Sequence, residues 1–456
     1  MKRSILSLLI IALVLSGCQT NEPLSGKNAV TINLWHNYGG LMKDTMDTLI
    51  DEFNETVGRN EGIIINVTSI TGSATIHEKL KMAVNDEPGA PDLPDITTLY
   101  PNTALMLAEK GLLADLESHF SKEDLSLYIS EFVEEGRLPD GKLYVLPIGK
   151  STEVMFLNTS IFNRFMKDAD VSYNDLYTFE GILDIAEKYY EWTDNQTPNI
   201  ENDGKAFINY DSVFNMAQAI YKQSKEDLIV DGSLNLNSPA FKDLWKNYFE
   251  PAVKGYVSIY DGYGSDLIKT GTVAANIGST AGVLFYSDIV TYEDNTTEPA
   301  EFLILPYPVI ERGEKIAIQR GGGMCIIKSD RAKENAAGIF LKWFTSPEQN
   351  LKFVSSTGYL PVTEKAVELT NDDGSDPEDK MRSLENTTKE MAENFNFFYT
   401  PVIDNFDELE DSFNSSLKDT ALVCRNEYLN LLDDMDEYDA FIKATENKFE
   451  EFIRQR

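Results

Sequence analysis

The chain has 456 residues, with 75 acidic against 40 basic side chains and a formal net charge of −35. Negative charge spread along the whole length argues against nucleic acid, and against an anionic lipid surface met through a basic patch; its plain physical effect is solubility through mutual repulsion. The length exceeds the roughly 250–300 residues at which a single hydrophobic core stops growing, so two domains are expected.

At the N-terminus, Lys2 and Arg3 precede the apolar run Ile5 to Val14, a secretory signal too short to span a bilayer as a permanent helix. The run ends in Leu15-Ser16-Gly17-Cys18, which resembles the lipobox of bacterial lipoproteins and implies cleavage before Cys18 with a diacylglycerol on its thiol. The alternative is an uncut anchor with an incidental cysteine. Residues 1–17 are read as the signal, and residues 18–28, polar with Pro23 and Gly26, as a flexible tether. No later apolar run approaches the roughly 18 residues of a spanning helix.

Strands then alternate with helices. AVTINLW (Ala29 to Trp35) predicts a strand, and Leu41, Met46, Leu49, Ile50, Phe53 and Val57 mark one face of the helix after it. IIINVTSI, a turn at Thr71-Gly72-Ser73, a helix carrying Ile76, Leu80 and Val84, the strand DITTLY and the helix NTALMLAEKGL complete a βαβαβα lobe with a largely parallel sheet. KLYVLPIGKSTEVMFLN (Lys142 to Asn158) is one extended stretch interrupted by Pro147 and Gly149, as at a hinge crossing into a second lobe. EFLILPYPVI (Glu301 to Ile310) is expected to return the chain to the first lobe, where GGGMCIIKS adds a strand. The expected boundaries are 29–148 plus about 299–357 for the first lobe and 149–298 plus about 358–456 for the second. The helical tail from Asp407 either packs on the second lobe or offers a protein-interaction helix. Cys325 and Cys424 are either paired or two buried thiols.

Trp35-His36-Asn37 after the first strand, Pro94-Asp95-Ile96, LYVLPIGKSTEVMFLN, Gly278-Ser279, LPYP, GGGMCIIK, FLKWFTSPEQNLKF and TGYLPV occur in this order between Val30 and Val362. In that order they resemble the family 1 extracellular solute-binding proteins of bacterial ABC importers, in the branch that includes glycerol-3-phosphate and oligosaccharide binders. The resemblance implies an α/β fold of the periplasmic-binding-protein type: two lobes with central sheets, joined by a multi-crossing hinge, with a ligand cleft between them. It also implies a monomer, lipid-anchored through Cys18 at the cell surface or in the periplasm. Such a protein hands its solute to two permease subunits driven by a cytoplasmic ATPase.

Neutral sugars present apolar CH faces ringed by hydroxyls, so a cleft that binds them needs aromatic platforms and convergent polar groups. Candidates at strand ends are Trp35, His36, Asn37, Ser73, Tyr100, Ser151, Thr152, Glu153, Tyr210, Asp211, Ser279, Gly321, Gly322, Gly323 and Tyr359. Tyr100, Tyr210 or Tyr359 would stack, and Glu153 or Asp211 would accept bonds from hydroxyls. Gly278-Ser279 would offer backbone N–H groups, and the three glycines would let backbone approach a ligand closely. Each has a structural alternative: Trp35 as core, Tyr359 as a staple for its turn, the glycines as a bulge, and the two acids as solvated side chains.

No catalytic or metal motif competes. His36, His77 and His119 are isolated, and neither a P-loop nor a nucleophile elbow occurs, so no cofactor, metal or enzymatic activity is expected. Two carboxylates suffice for a glycosidase, which keeps a carbohydrate-active enzyme as a distant alternative. Glycerol-3-phosphate binders of the resembled branch place an arginine late in the chain on the phosphate, whereas FYTPVIDNFDELEDSFNSSL carries none. That departure favours a neutral carbohydrate, with a phosphate ester held near Lys150 or Arg320 as the alternative.

Overall fold

The computed structural model describes residues 29–369, 380–403 and 405–454; the segments expected to be signal and tether, with Cys18, lie outside them. Strand β1 (Val30–His36) leads into helix α1 (Gly40–Glu55), β2 (Ile63–Ser69), α2 (Ser73–Val84), β3 (Ile96–Leu99) and α3 (Pro101–Glu109). β1 runs parallel to β2, from Val30 opposite Ile63 to His36 opposite Ser69, and parallel to β3 on its other edge. Each helix buries one stripe against this sheet: Met46, Leu49, Ile50 and Phe53 on α1, and Ile76 and Leu80 on α2. Those spacings of three and four are what one helical face requires.

After β4 (Leu146–Pro147) the chain crosses into β5 (Ser151–Asn158), a strand buried along its whole length. The second lobe then contributes β6 (Ile208–Tyr210), α4 (Val213–Gln223), β7 (Ala275–Ser279), β8 (Phe302–Leu305) and β9 (Ile316–Arg320). β10 (Gly323–Ile326), α5 (Arg331–Phe344) and α6 (Pro347–Ser355) follow on the first lobe; β11 (Asn396–Phe398) and α7 (Phe406–Leu431) follow on the second. The first sheet has the order β2-β1-β3-β10-β4 and the second β11-β9-β5-β7-β6, with β8 also paired to β5.

Three expectations are corrected. The sheets are mixed rather than largely parallel: β10 is antiparallel to β3 and β4, and β5 is antiparallel to β7, β8 and β9. β10 enters its sheet directly from the neighbouring one through Gly321-Gly322, without the long crossover a parallel neighbour would need. Residues Phe302–Leu305 do not return to the first lobe but pair with Asn158 to Met155 in the second sheet, so the return falls at Gly321–Gly323. The first lobe also extends past residue 357: Val362 is buried in its core, and Thr363 bridges Tyr128.

Of the two placements expected for the tail, the structure has the packed one. Phe413, Leu417, Ala421, Cys424 and Tyr428 of α7 join the second-lobe core with Phe241 and Trp245. Cys325 is buried in the first lobe and Cys424 in the second; both are free thiols.

Where the chain crosses between lobes, three segments meet on one ion pair. Lys150 Nζ donates to Glu135 Oε2 at 2.8 Å and to the Gly321 carbonyl at 2.9 Å, and Gln319 Nε2 donates to the same Glu135 carboxylate. Lys150 and Glu135 are 3% and 7% exposed, so removing either partner strands a buried charge. Lys150→Met is expected to cost about 3–5 kcal/mol in chemical denaturation, and the double variant Lys150→Met/Glu135→Leu to recover most of that loss. A double variant no more stable than the single one would refute this account of the hinge.

Candidate ligand-binding cleft

The carboxyl ends of β1 and β3 form the first-lobe wall of an interlobe cleft. Asn37, just past β1, donates its backbone N–H to Thr98 Oγ1 at 3.0 Å; that hydroxyl donates to Asn37 Oδ1 at 2.9 Å. Asn37 Nδ2 donates to Ser73 Oγ at 2.9 Å, so the amide is held at both ends. Around it lies a narrow recess lined by Asn37, Tyr38, Ser73, Tyr100, Thr103, Gly322 and Tyr359, with Ile76 and Leu99 beneath. The Tyr359 ring is parallel to Phe353 with centroids 6.0 Å apart and meets Tyr38 edge-on at 6.1 Å. This packing holds the ring rigidly while leaving it partly exposed.

The second-lobe wall is polar and charged. Arg320, at the end of β9, donates from Nη1 to Asn215 Oδ1 at 2.9 Å, and Asn215 Nδ2 donates to Glu153 Oε1 at 2.6 Å. Asn215 sits in the first turn of α4, where its N–H is capped by Ser212 Oγ at 3.1 Å. Glu410 of α7 completes the group, within electrostatic reach of Arg320. Burial pushes Glu153 up to about 7, opposed chiefly by the Arg320 charge and the Asn215 bond, and raises Glu410 in the same way. Asp211 is also pushed up to about 6 by burial, although its carboxylate accepts from Gly264 N–H at 2.8 Å.

Of the residues expected at the site, Asn37, Ser73, Tyr100, Gly322 and Tyr359 line the first-lobe recess, while Glu153 is buried opposite Ser279 in the second sheet and Asp211 follows the end of β6. The others are placed elsewhere. Trp35 is packed in the first-lobe core with Ile70, Ile76 and Leu80. His36 points to the opposite face, where Nδ1 accepts from Tyr38 N–H at 3.2 Å and burial lowers its pKa to about 4. Alternation along β1 sends these two side chains to opposite buried faces, leaving neither on the cleft wall.

Tyr210 is 3% exposed between Phe179 and Tyr248 in the second-lobe core, its ring part of the wall's support. Ser151 and Thr152 are buried in the hinge ladder opposite Arg320 and Gln319, and Thr152 Oγ1 donates to the Ile318 carbonyl at 2.8 Å. Gly321 gives its carbonyl to Lys150, and Gly323 lets β10 close on β4, since a β-carbon there would lie 2.3 Å from the Leu146 carbonyl oxygen. Tyr38 and Thr103 line the same recess, and Asn215 and Glu410 join the charged group, although none of the four is among the expected contacts; Arg320 is expected only as the anchor of a phosphate ester. Asn215 and Glu410 sit on helices whose sequence carries no strand-end signal.

The raised carboxyls give the fold a pH dependence of definite sign. Glu153 holds its proton more tightly folded than unfolded, so its contribution to stability is greatest below about pH 4.5 and falls as pH rises through about 7. Glu153→Gln should flatten the stability profile between those limits, as followed by thermal unfolding across pH. A variant whose stability falls as steeply as the parent's over that range would show that Glu153 does not titrate there.

Residues 48–381 match the family model for bacterial extracellular solute-binding proteins. The sn-glycerol-3-phosphate-binding periplasmic protein UgpB of Salmonella typhimurium is 23% identical over 383 residues, covering 80% of this chain and 81% of that one. UgpB of Shigella flexneri is 21% identical over 361 residues, covering 75% of this chain and 77% of that one. Among solved structures, the cyclic alpha-maltosyl-1,6-maltose binding protein of Arthrobacter globiformis aligns with a TM-score of 0.66 at 18% identity, covering 91% of this chain and 97% of that one. UgpB of Mycobacterium tuberculosis, in complex with glycerophosphocholine, aligns at 0.65 and 16%, covering 94% and 99%.

Proposed function

Because the chain belongs to the bacterial extracellular solute-binding protein family, we propose that it captures a neutral carbohydrate, mono- or oligosaccharide, in the interlobe cleft and delivers it to an ABC importer. In this reading Cys18 carries the lipid that holds the protein outside the cytoplasm, residues 19–28 are its tether, and the folded body works as a monomer that binds without chemical turnover.

The observation that carries the choice of solute is the state of Arg320. Its guanidinium already donates to Asn215 and faces Glu153 and Glu410, so the one arginine of this wall meets local negative charge. A phosphate entering there would have to displace or protonate buried carboxylates. Hydroxyl groups, by contrast, can accept from Arg320 and the Asn37 amide while donating to Glu153 and Glu410. Tyr100 and Tyr359 on the opposite wall supply rings for the apolar CH face of a sugar. Glycerol-3-phosphate or a glycerophosphodiester is the second reading; it is favoured by the UgpB relatives and would place its phosphate at Arg320.

Thermal unfolding of the chain from Gln19 onward against maltose, maltotriose, mannobiose, sn-glycerol-3-phosphate and glycerophosphocholine separates the two. A sugar at a hundredfold excess over its Kd should stabilise the fold by about 2.7 kcal/mol. Tyr100→Ala and Tyr359→Ala should each weaken binding of that sugar about threefold to tenfold in calorimetry. Stabilisation by the phosphate esters alone would replace the first reading with the second.

A further inference from the structure

Beside the hinge, the TGYLPV turn of the first lobe meets the second lobe at a point with no side chain. Gly358 has φ +74°, and a β-carbon there would lie 2.6 Å from the Thr280 carbonyl oxygen and 2.7 Å from Val283 Cγ1. On its own side the glycine is anchored: its N–H donates to the Val354 carbonyl, Tyr359 packs on Phe353, and Leu360 bridges Lys150. The facing surface is equally fixed, because the turn Thr280–Phe285 follows β7 and Val283 is fully buried in the second-lobe core.

We propose that Gly358 is a closure stop: the missing side chain sets how far the lobes fold together, and so the width of the cleft, without touching the solute. Lys150 pairs with Leu360, and Glu153, three residues along the same crossing, pairs with Ser279. The contact therefore sits roughly 10 Å from the pivot at about 3.3 Å per residue. Relieving the overlap to ordinary contact distance takes about 0.8 Å, a rotation of about 5°, which parts points about 25 Å from the pivot by about 2 Å. A separation of that size also breaks a hydrogen bond between the lobes, from Ile403 N–H to Asn102 Oδ1 at 3.1 Å. The inference relies on the reading of the cleft as a solute site only for its consequence, weaker binding by an over-opened cleft; the contact itself stands without it.

Electron–electron distance measurements on the protein without solute test the stop. On the chain from Gln19 onward, which lacks Cys18, spin labels at Glu78→Cys and Asp266→Cys, 64% and 57% exposed and one on each lobe, report the separation, and Cys325 and Cys424 are buried. Gly358→Ala should lengthen the label distance by about 2 Å, and Gly358→Asn by more. Asn tolerates left-handed backbone better than Ala, so this second variant keeps the test usable if Gly358→Ala folds poorly. Gly141→Ala, at φ +82° with no atom within 4 Å of its β-carbon, imposes the backbone strain alone and should leave the distance unchanged. Distances at position 358 equal to the parent's, or a Gly141→Ala shift of the same size, would overturn the proposal. Because no solute is added, a solute panel that gives no response leaves this result unaffected.

Discussion

The buried pair Lys150–Glu135 is the contact on which the relation between the two lobes depends. Glu135 follows a short helix of the first lobe, Lys150 lies in the outgoing crossing, and Gln319 and Gly321 lie in the returning one. Two charges taken out of water are tolerated only when their remaining hydrogen-bonding capacity is used. Here the lysine uses a backbone carbonyl and the carboxylate uses a side-chain amide. The two crossings are thereby held in fixed register, which sets Gly322 on the wall of the first-lobe recess and Glu153 opposite Ser279 in the second sheet.

From that pivot the cleft acquires two unlike walls. The first lobe presents tyrosine rings and short neutral polar groups, braced by packing and by the Asn37, Thr98 and Ser73 bonds. The second presents carboxyls gathered around one guanidinium, all partly desolvated, with Asn215 relaying the bond from Arg320 to Glu153. Desolvation raises the carboxyl pKa values while the guanidinium lowers them, and for Glu153 burial is the larger effect. A wall so close to neutralisation suits many weak, directional bonds to hydroxyls better than one strong bond to an anion.

Much of the architecture was legible because it is local. The periodicity of α1 and α2, the apolar runs of β1 and β2, and the hinge stretch with its Pro and Gly are each visible in a window of a dozen residues. The candidate site was legible only where it coincides with strand ends: Asn37, Ser73, Tyr100 and Tyr359 reach the recess wall. Trp35, His36 and Tyr210 have the same residue chemistry, yet they turn into packed cores. Their sequence neighbourhood does not distinguish the two outcomes, since the decision depends on which face of the sheet a distant helix covers.

By itself the sequence determined the two-lobe α/β plan, the order of most of its elements and the absence of known catalytic motifs, since composition, periodicity and turn chemistry act over short distances. Only the tertiary structure decided that Phe302–Leu305 stays in the second sheet, that Glu135 meets Lys150, that Asn215 joins Arg320 to Glu153, and that Gly358 touches Thr280. Each of these joins segments distant in the chain. Such pairings follow from how whole lobes pack and cross, which no local propensity encodes.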